Sequence, residues 1–256
     1  MADPGSYNQK IWDQIAKAGD KYYVALDDDK VESARNGPLN IRLTPTKSVP
    51  QDWLGSLASK NVLCLACGGG QQAPLFAAAG ADVTVFDISN EQLERDSAAA
   101  AKHNLQITTV WGDMANMAIF ADGHFDLVVN PCSVCFCPEL APIWKEVYRV
   151  VATGGRFMTG FVKPIQYIFD QILLNDGDFK VVNKIPYSDL DLDPQQREQI
   201  LGSERPLEFG HSLTSLIGGQ IEAGFQVVGF YEDRWGDDDV LSDHIDVFAA
   251  TLAIKP

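Results

Sequence analysis

A glycine-rich turn in the first third of the chain carries the clearest chemical signal in the sequence. Gly68, Gly70 and Ala73 fit the pattern G-x-G-x-x-G/A, between an apolar run and an Ala-rich stretch that favours helix. Glycines let the backbone approach a ligand closely because no Cβ intervenes. The helix that follows offers free N–H groups to a carboxylate or phosphate. The turn therefore predicts a ligand site, and the alternative is a tight turn without a ligand.

An acid follows the next predicted strand at the place where a ribose would lie. Asp87 ends the run 82–86, and its carboxylate can accept hydrogen bonds from both hydroxyls of an adenosine ribose. Ser89 then begins a helix, with Gln92 three positions on in a capping-box pattern. Turn and acid together predict an adenosine-containing cofactor, and they fit a nicotinamide dinucleotide as well as other adenosine cofactors.

Histidine is the side chain that most readily serves as a base near neutral pH. His211 lies at the end of a long irregular segment, beside the last predicted helix, and is the candidate catalytic base. A surface or capping role is its alternative. For His103, His124 and His244 we favour a structural role.

Five cysteines form two C-x-x-C spacings, Cys64/Cys67 and Cys132/Cys135, with Cys137 beyond them. Four thiolates with such spacing can hold zinc, and a thiol-rich pocket mouth could also bind a soft acceptor. Cys64 falls within a buried strand, where a free cysteine packs as a small hydrophobic side chain. We therefore predict no metal site.

The candidate site residues lie among alternating predicted strands and helices, and this alternation predicts an α/β fold. The architecture is a doubly wound, mostly parallel, seven-stranded Rossmann-like sheet. The predicted strands are 61–66, 82–86, 106–111, 125–129, 156–162, 225–231 and 245–254. The predicted helices are 7–18, 31–35, 71–79, 140–151 and 212–223, with another beginning at Ser89. The last two strands are joined by an acidic loop and should form an antiparallel pair at the sheet edge.

Two segments do not fit the alternation. Residues 1–55 are expected to form an N-terminal helical cap on a domain spanning 56–256. Residues 163–211 are too long for an ordinary connection and are expected to cover the substrate. Aromatic side chains from these segments and from the fourth strand's end are candidates for the acceptor wall: Tyr7, Trp12, Phe136 and Tyr167.

Composition and charge narrow the class of function. The 256 residues are 46% hydrophobic and 21% charged, as is ordinary for a globular protein, and the net charge is −15. So acidic a chain repels a phosphate backbone, which excludes a nucleic-acid partner.

The sequence contains no apolar run of about 18 residues, the length that a membrane-spanning helix requires. The N-terminus lacks the apolar core of a signal peptide, and the odd cysteine count suggests reduced thiols. We therefore expect a cytoplasmic protein, and its oligomeric state is left open.

The segment 62–70, VLCLACGGG, resembles the first motif of class I S-adenosylmethionine-dependent methyltransferases, particularly bacterial small-molecule enzymes. The resemblance extends to about residue 162. It includes Asp87, the turn Gly112-Asp113-Met114, and the run 125–129. The usual strand Asp is Cys64 here and the first glycine is Ala66, which implies that backbone carbonyls near Ala66, or Gln71, orient the methionine ammonium.

The resemblance implies S-adenosylmethionine as cofactor and a set of residues that bind it. These are Ala66, Gly68, Gly70, Gln71, Asp87, Ile88, Gln92, Asp113, Met114 and Asn130. The sequence 130–133, NPCS, partly resembles the N-P-P-Y motif of enzymes that methylate amide or base amino groups, but it lacks the stacking ring. Asn130 and Ser133 are candidate contacts for cofactor or acceptor, and the alternative is that Pro131 simply ends the strand.

The leading hypothesis is direct transfer of a methyl group to an N, O or S nucleophile of a small molecule. A nicotinamide-dependent oxidoreductase is the second hypothesis, and a non-catalytic nucleoside-binding module is the third. The terminal antiparallel strand pair argues against the oxidoreductase, whose sheet continues with parallel strands.

Overall fold

The structure is a computed structural model that describes residues 3–19, 26–202, 205–236 and 239–256. In chain order its strands are β1 (Asn61–Leu65), β2 (Asp82–Asp87), β3 (Ile107–Trp111), β4 (Phe125–Asn130), β5 (Val151–Val162), β6 (Tyr187–Ser188), β7 (Phe209–Gly210), β8 (Gln226–Asp233) and β9 (Phe248–Ile254). Its α-helices are α1 (Pro4–Ala18), α2 (Asp28–Asn36), α3 (Gln51–Leu54), α4 (Ala73–Ala78), α5 (Asn90–His103), α6 (Ala141–Val150), α7 (Gln171–Asn175), α8 (Pro194–Leu201) and α9 (Gly219–Glu222).

The main sheet has seven strands in the order β3-β2-β1-β4-β5-β9-β8, which confirms the predicted architecture. The first five strands are parallel, and β9 runs antiparallel to both β5 and β8. Strand order reverses between β1 and β4, and in such sheets ligands bind outside the carboxyl ends at this point. The short strands β6 and β7 pair with each other in a separate sheet.

Burial explains why β1 is apolar from Val62 to Leu65. It pairs with β2 on one side and β4 on the other, and its residues from Val62 to Leu65 are fully buried. Val62 and Cys64 pack into one core cluster, whereas Leu63 and Leu65 pack into another. A strand between two helical layers must be apolar on both faces, as observed.

The helix predicted over 212–223 differs from the structure. A π-helical turn at Thr214–Gly218 precedes α9. The indole Nε1 of Trp144 donates to the Ser215 carbonyl oxygen at 2.8 Å. A Cβ on Gly219 would lie 2.6 Å from the same ring. A side chain that takes a helical carbonyl is a common cause of such an irregular turn.

Residues 39–54 share a core with the sheet. Leu39, Ile41, Val49 and Trp53 belong to the same buried cluster as β1. The Leu43 carbonyl approaches β5 so closely that a Cβ on Gly160 would lie 2.0 Å from its oxygen. The part of 1–55 that covers the carboxyl edge of the sheet is α1. Within the described residues, no helix has the length and hydropathy needed to cross a membrane.

The segment 163–211 folds into short elements, including α7, α8, β6 and β7. Phe169 and Leu174 pack on Val247 and Phe248 in a small cluster of their own. Near its end, Leu207 and Phe209 form another small cluster. The segment therefore has its own packing and is not a loose connection.

Candidate active site

A cavity of about 470 Å³ opens at the carboxyl ends of β1, β2, β3 and β4, beneath α1. Its volume lies within the range of small-molecule sites. Most residues predicted to bind cofactor line it: Ala66, Gly68, Gln71, Asp87, Ile88, Gln92, Asp113 and Met114. Three of the predicted acceptor contacts also line it: Trp12, Ser133 and Phe136.

Asp87 holds the glycine turn against the end of β2. Its Oδ2 accepts from the Gly68 N–H at 2.9 Å, and its Oδ1 accepts from the Ser89 N–H at 2.9 Å. Burial raises its pKa, and these N–H donors oppose the rise. A carboxylate oxygen has lone pairs for more than one donor, so a vicinal diol can still bind both oxygens.

Asp96, which was not predicted as a site residue, holds the same turn from α5. Its Oδ2 and Oδ1 accept from the N–H groups of Gly69 and Gly70 at 2.9 and 3.0 Å. The side chain is fully buried, and burial raises its pKa to about 7. The available signal was an aspartate one turn after Gln92 on the apolar face of a predicted helix.

Gly70 faces α5, away from the cavity. Its φ of 73° lies in the left-handed region, and a Cβ there would lie 2.8 Å from the Arg95 carbonyl oxygen. The residue therefore shapes the turn from behind. Ala66 also has a left-handed φ, 46°, and its N–H donates to the Phe86 carbonyl at 2.8 Å.

Two features of the cavity wall bear on ligand binding: the close contact of Gly112 with Phe86 and the unpaired side-chain oxygen of Gln92. A Cβ on Gly112 would lie 2.3 Å from the Phe86 ring, so only glycine fits beside that wall. Gln92 is 8% exposed, and its Oε1 has no hydrogen-bond partner among the described residues. A buried acceptor without a donor is costly, and a ligand hydroxyl would satisfy it. The wall thus fits the nucleoside part of S-adenosylmethionine.

Asn130 is fully buried, and its side chain bonds only within the protein. Its Nδ2 donates to the Leu65 carbonyl at 2.9 Å and to the Ser133 Oγ at 2.6 Å. Its Oδ1 accepts from the Thr159 hydroxyl at 3.0 Å. Asn130 therefore orients the turn after β4, while Ser133 reaches the cavity.

Helix α1 closes the cavity, and Asn8 fastens it. The Asn8 Nδ2 donates to the carbonyl oxygens of Phe136 and Leu207, each at 3.0 Å. Its Oδ1 accepts from the Leu207 N–H at 2.7 Å. Trp12 meets Phe136 edge-on with ring centroids 5.0 Å apart. Asn8 was not predicted, since a buried amide inside a polar stretch gives no distinctive pattern.

Besides Gly70 and Asn130, three predicted residues do not line the cavity. The His211 Nε2 lies 2.9 Å from the Cys137 carbonyl oxygen, and burial lowers the pKa of the ring. Tyr167 donates to the Glu208 carboxylate at 2.9 Å and stacks on Tyr187. Tyr7 packs against Leu207 and its neighbours. His211 therefore lies behind the segment that forms the wall. Its role as a base stays a prediction, and this position does not support it.

Cys67, Cys132 and Cys137 line the cavity. Burial raises the pKa of Cys132 far above its usual value and that of Cys137 to about 12, so both are neutral thiols. Within the described residues, no group of three or more His, Cys, Asp or Glu side chains could hold a metal ion.

A doubly wound sheet with a reversed last strand, and a cavity at its switch point, are typical of a methyltransferase fold. A family model described as a methyltransferase domain matches residues 63–159. The Bacillus subtilis protein named uncharacterized methyltransferase YbaJ is 43% identical over 251 residues, or 98% of each chain. The chain belongs to the class I S-adenosylmethionine-dependent methyltransferases, and S-adenosylmethionine is its cofactor.

More distant methyltransferases are also similar to this chain. The ubiquinone biosynthesis O-methyltransferase of Psychrobacter arcticus is 33% identical over 117 residues, which is 44% of this chain and 46% of that protein. The solved structure of an S-adenosylmethionine-dependent methyltransferase from Mesorhizobium loti covers 80% of this chain and 94% of its own. Its TM-score is 0.61 at 16% identity, so it supports the fold alone.

Proposed function

We propose that this methyltransferase acts on a small-molecule acceptor bound beside the cofactor beneath α1. The observation that carries the proposal is the size and cover of the cavity, about 470 Å³ roofed by α1. A space of this size holds a nucleoside cofactor and a small partner. The net charge of −15 opposes binding of a nucleic acid.

The lining residues suggest how the cofactor is held. Asp87 and the unpaired Gln92 Oε1 suit the ribose hydroxyls. Ile88, Asp113 and Met114 suit the adenine, since they follow β2 and β3 at the same edge. Ala66 and Gln71 lie beside the turn and suit the methionine part.

When bound, S-adenosylmethionine supplies a methyl group on a sulfonium, which is already a good leaving group. The chain then contributes chiefly position, and alignment of the reactants can lower a barrier by up to about 7–11 kcal/mol. Trp12, Ser133 and Phe136 form the wall that would orient the acceptor. The cover provided by α1 excludes water from the same space.

Thermal shift with defined ligands tests the proposal first. S-Adenosylhomocysteine should stabilise the protein, and NADH should not, because a bound ligand stabilises only the state that binds it. Turnover is then measured as S-adenosylhomocysteine release with three pools of acceptor: small metabolites, RNA and protein. Release with the metabolite pool alone is expected. Release only with RNA or protein contradicts a small acceptor, and nucleoside binding without turnover in any pool would favour a binding module.

A further inference from the structure

The charges around the cavity have one sign. Among the described residues that line it, the ionisable side chains apart from the thiols are the carboxylates of Asp3, Asp87, Asp113 and Glu139. No lysine, arginine or histidine belongs to this described lining. A cleft lined by one sign of charge concentrates ligands of the opposite sign and repels those of the same sign. An acceptor that carries a carboxylate or phosphate would find no partner for it here.

Asn8 and Trp12 of α1 and the first residues after β4 give the lining a stretch without charged side chains: Pro131, Cys132, Ser133 and Phe136. The charged lining residues next to this stretch are acidic, Asp3 before α1 and Glu139 before α6. The Asn8 amide is already used to fasten α1. Two aromatic rings in contact, Trp12 and Phe136, offer faces that attract an ammonium group.

We propose that the acceptor is a small amine, a cation when protonated that reacts as its free base, so that the protein is an N-methyltransferase. This inference rests on the proposed function, because it names the acceptor of that same site.

Oxygen and sulfur acceptors fit the cavity less well because they react best as anions. An anion requires a base to take its proton or a cation to stabilise it. His211 lies outside the cavity with its Nε2 at a backbone carbonyl. The thiols of Cys132 and Cys137 line the same cavity, and burial raises the pKa of both, so they stay protonated. An alcohol or thiol acceptor in the same place would stay protonated.

A free amine already has the lone pair that the reaction needs. The nitrogen lone pair forms the new N–C bond while the C–S bond breaks, and the bonding pair of the C–S bond goes to sulfur and cancels its positive charge. The nitrogen becomes an ammonium and then loses one proton to solvent, past the exposed carboxylate of Glu139. Since only the free base reacts, the rate should rise with pH up to the pKa of the acceptor.

The element that receives the methyl group can be identified directly. The protein is incubated with S-adenosylmethionine labelled with ¹³C in the methyl group and with the small-molecule fraction of a bacterial extract, and the products are examined by ¹H–¹³C NMR. A labelled N-methyl signal is expected, and an O-methyl or S-methyl product would overturn the inference. If S-adenosylhomocysteine binds but no labelled small molecule forms, the small acceptor itself is contradicted, and the amine is judged by the second measurement.

The second measurement tests the charge preference without any acceptor. Cys132 and Cys137 are labelled with 2-aminoethyl methanethiosulfonate, a cation, or 2-sulfonatoethyl methanethiosulfonate, an anion, and modification is followed by peptide mass spectrometry. Relative to a free cysteine, the cation should react about tenfold faster than the anion. Equal rates or faster reaction with the anion would overturn the inference.

A matched pair of variants ties the preference to the cavity. Glu139→Gln removes a carboxylate of the lining, and Glu222→Gln removes one on α9, outside it. Glu139→Gln should reduce the rate ratio several-fold, whereas Glu222→Gln should leave it unchanged. A similar reduction in both variants would mean that net charge, and not the cavity, sets the preference.

Discussion

At the scale of residues, two carboxylates hold the glycine turn from opposite sides. Asp87 bonds to Gly68 from the end of β2, and Asp96 bonds to Gly69 and Gly70 from α5. The strand acid common in related methyltransferases is Cys64 here, a buried thiol. The turn is thus also fixed by a residue of α5, which keeps the N–H groups of Gly69 and Gly70 in place before any ligand arrives.

The raised pKa of Asp96 predicts a pH dependence of stability. An aspartate that titrates near 7 in the folded protein and near 3.9 when unfolded stabilises the fold below about pH 4, and this contribution is lost as the pH rises through 7. Between pH 5 and 8 the free energy of unfolding should fall by about 2–3 kcal/mol more in the wild type than in Asp96→Asn. Urea titrations at both pH values measure this difference, and parallel changes in the two proteins would contradict it.

Ala66 predicts a small gain from glycine. An L-residue in the left-handed region costs about 1–2 kcal/mol, part of which is offset because alanine restricts the unfolded chain. Ala66→Gly should raise the free energy of unfolding by about 0.5 kcal/mol. Ala98→Gly, at an exposed position inside α5, should lower it by about 1 kcal/mol. Equal losses in the two variants, measured by urea unfolding, would show that Ala66 is unstrained.

At the scale of elements, α1 is the part that makes the cavity a covered one. It is joined to the wall by Asn8 and to the start of α5 by Asp13, whose Oδ1 accepts from the Ser89 hydroxyl at 2.6 Å. Trp12 also packs edge-on against Phe136, and Lys17 forms an ion pair with Glu91. Entry and release of ligands should therefore depend on these contacts.

Removal of the Asn8 amide tests this role. Asn8→Ala leaves the Leu207 N–H and two carbonyl groups unpaired, which should lower the free energy of unfolding by about 2 kcal/mol. S-Adenosylhomocysteine should also dissociate several-fold faster, as measured by stopped-flow fluorescence. Lys10→Ala, at an exposed position on the same helix, is the control and should change neither quantity. An unchanged dissociation rate in Asn8→Ala would mean that α1 does not gate the cavity.

The π-helical turn before α9 depends on close contact with Trp144. A Cβ on Gly219 would lie 2.6 Å from the indole, whereas one on Gly218 would meet only Thr214 at 3.5 Å. Gly219→Ala should therefore lower the free energy of unfolding by about 1–3 kcal/mol. Gly218→Ala should raise it by up to about 1 kcal/mol, as expected for alanine in helical backbone. The same sign in both variants, read from thermal unfolding, would contradict this contact.

At the scale of the whole molecule, the sheet order and the nucleoside end of the site were predictable from local patterns. Apolar runs, the glycine turn and Asp87 are each visible in a short stretch of sequence. Asn8 and Asp96 were not, because their partners lie far along the chain or in another element. The role of His211 as a base stays a prediction that its position does not support, because its place in the sequence gives no information on which way the ring faces.

Isothermal titration calorimetry with S-adenosylhomocysteine tests most directly whether the turn at 68–70 and Asp87 bind a nucleoside beneath α1. Asp87→Asn turns one acceptor oxygen into a donor and should weaken binding about 100-fold. Asp82→Asn, at the exposed start of the same strand, should bind like the wild type. Equal affinity in all three proteins would contradict nucleoside binding by Asp87.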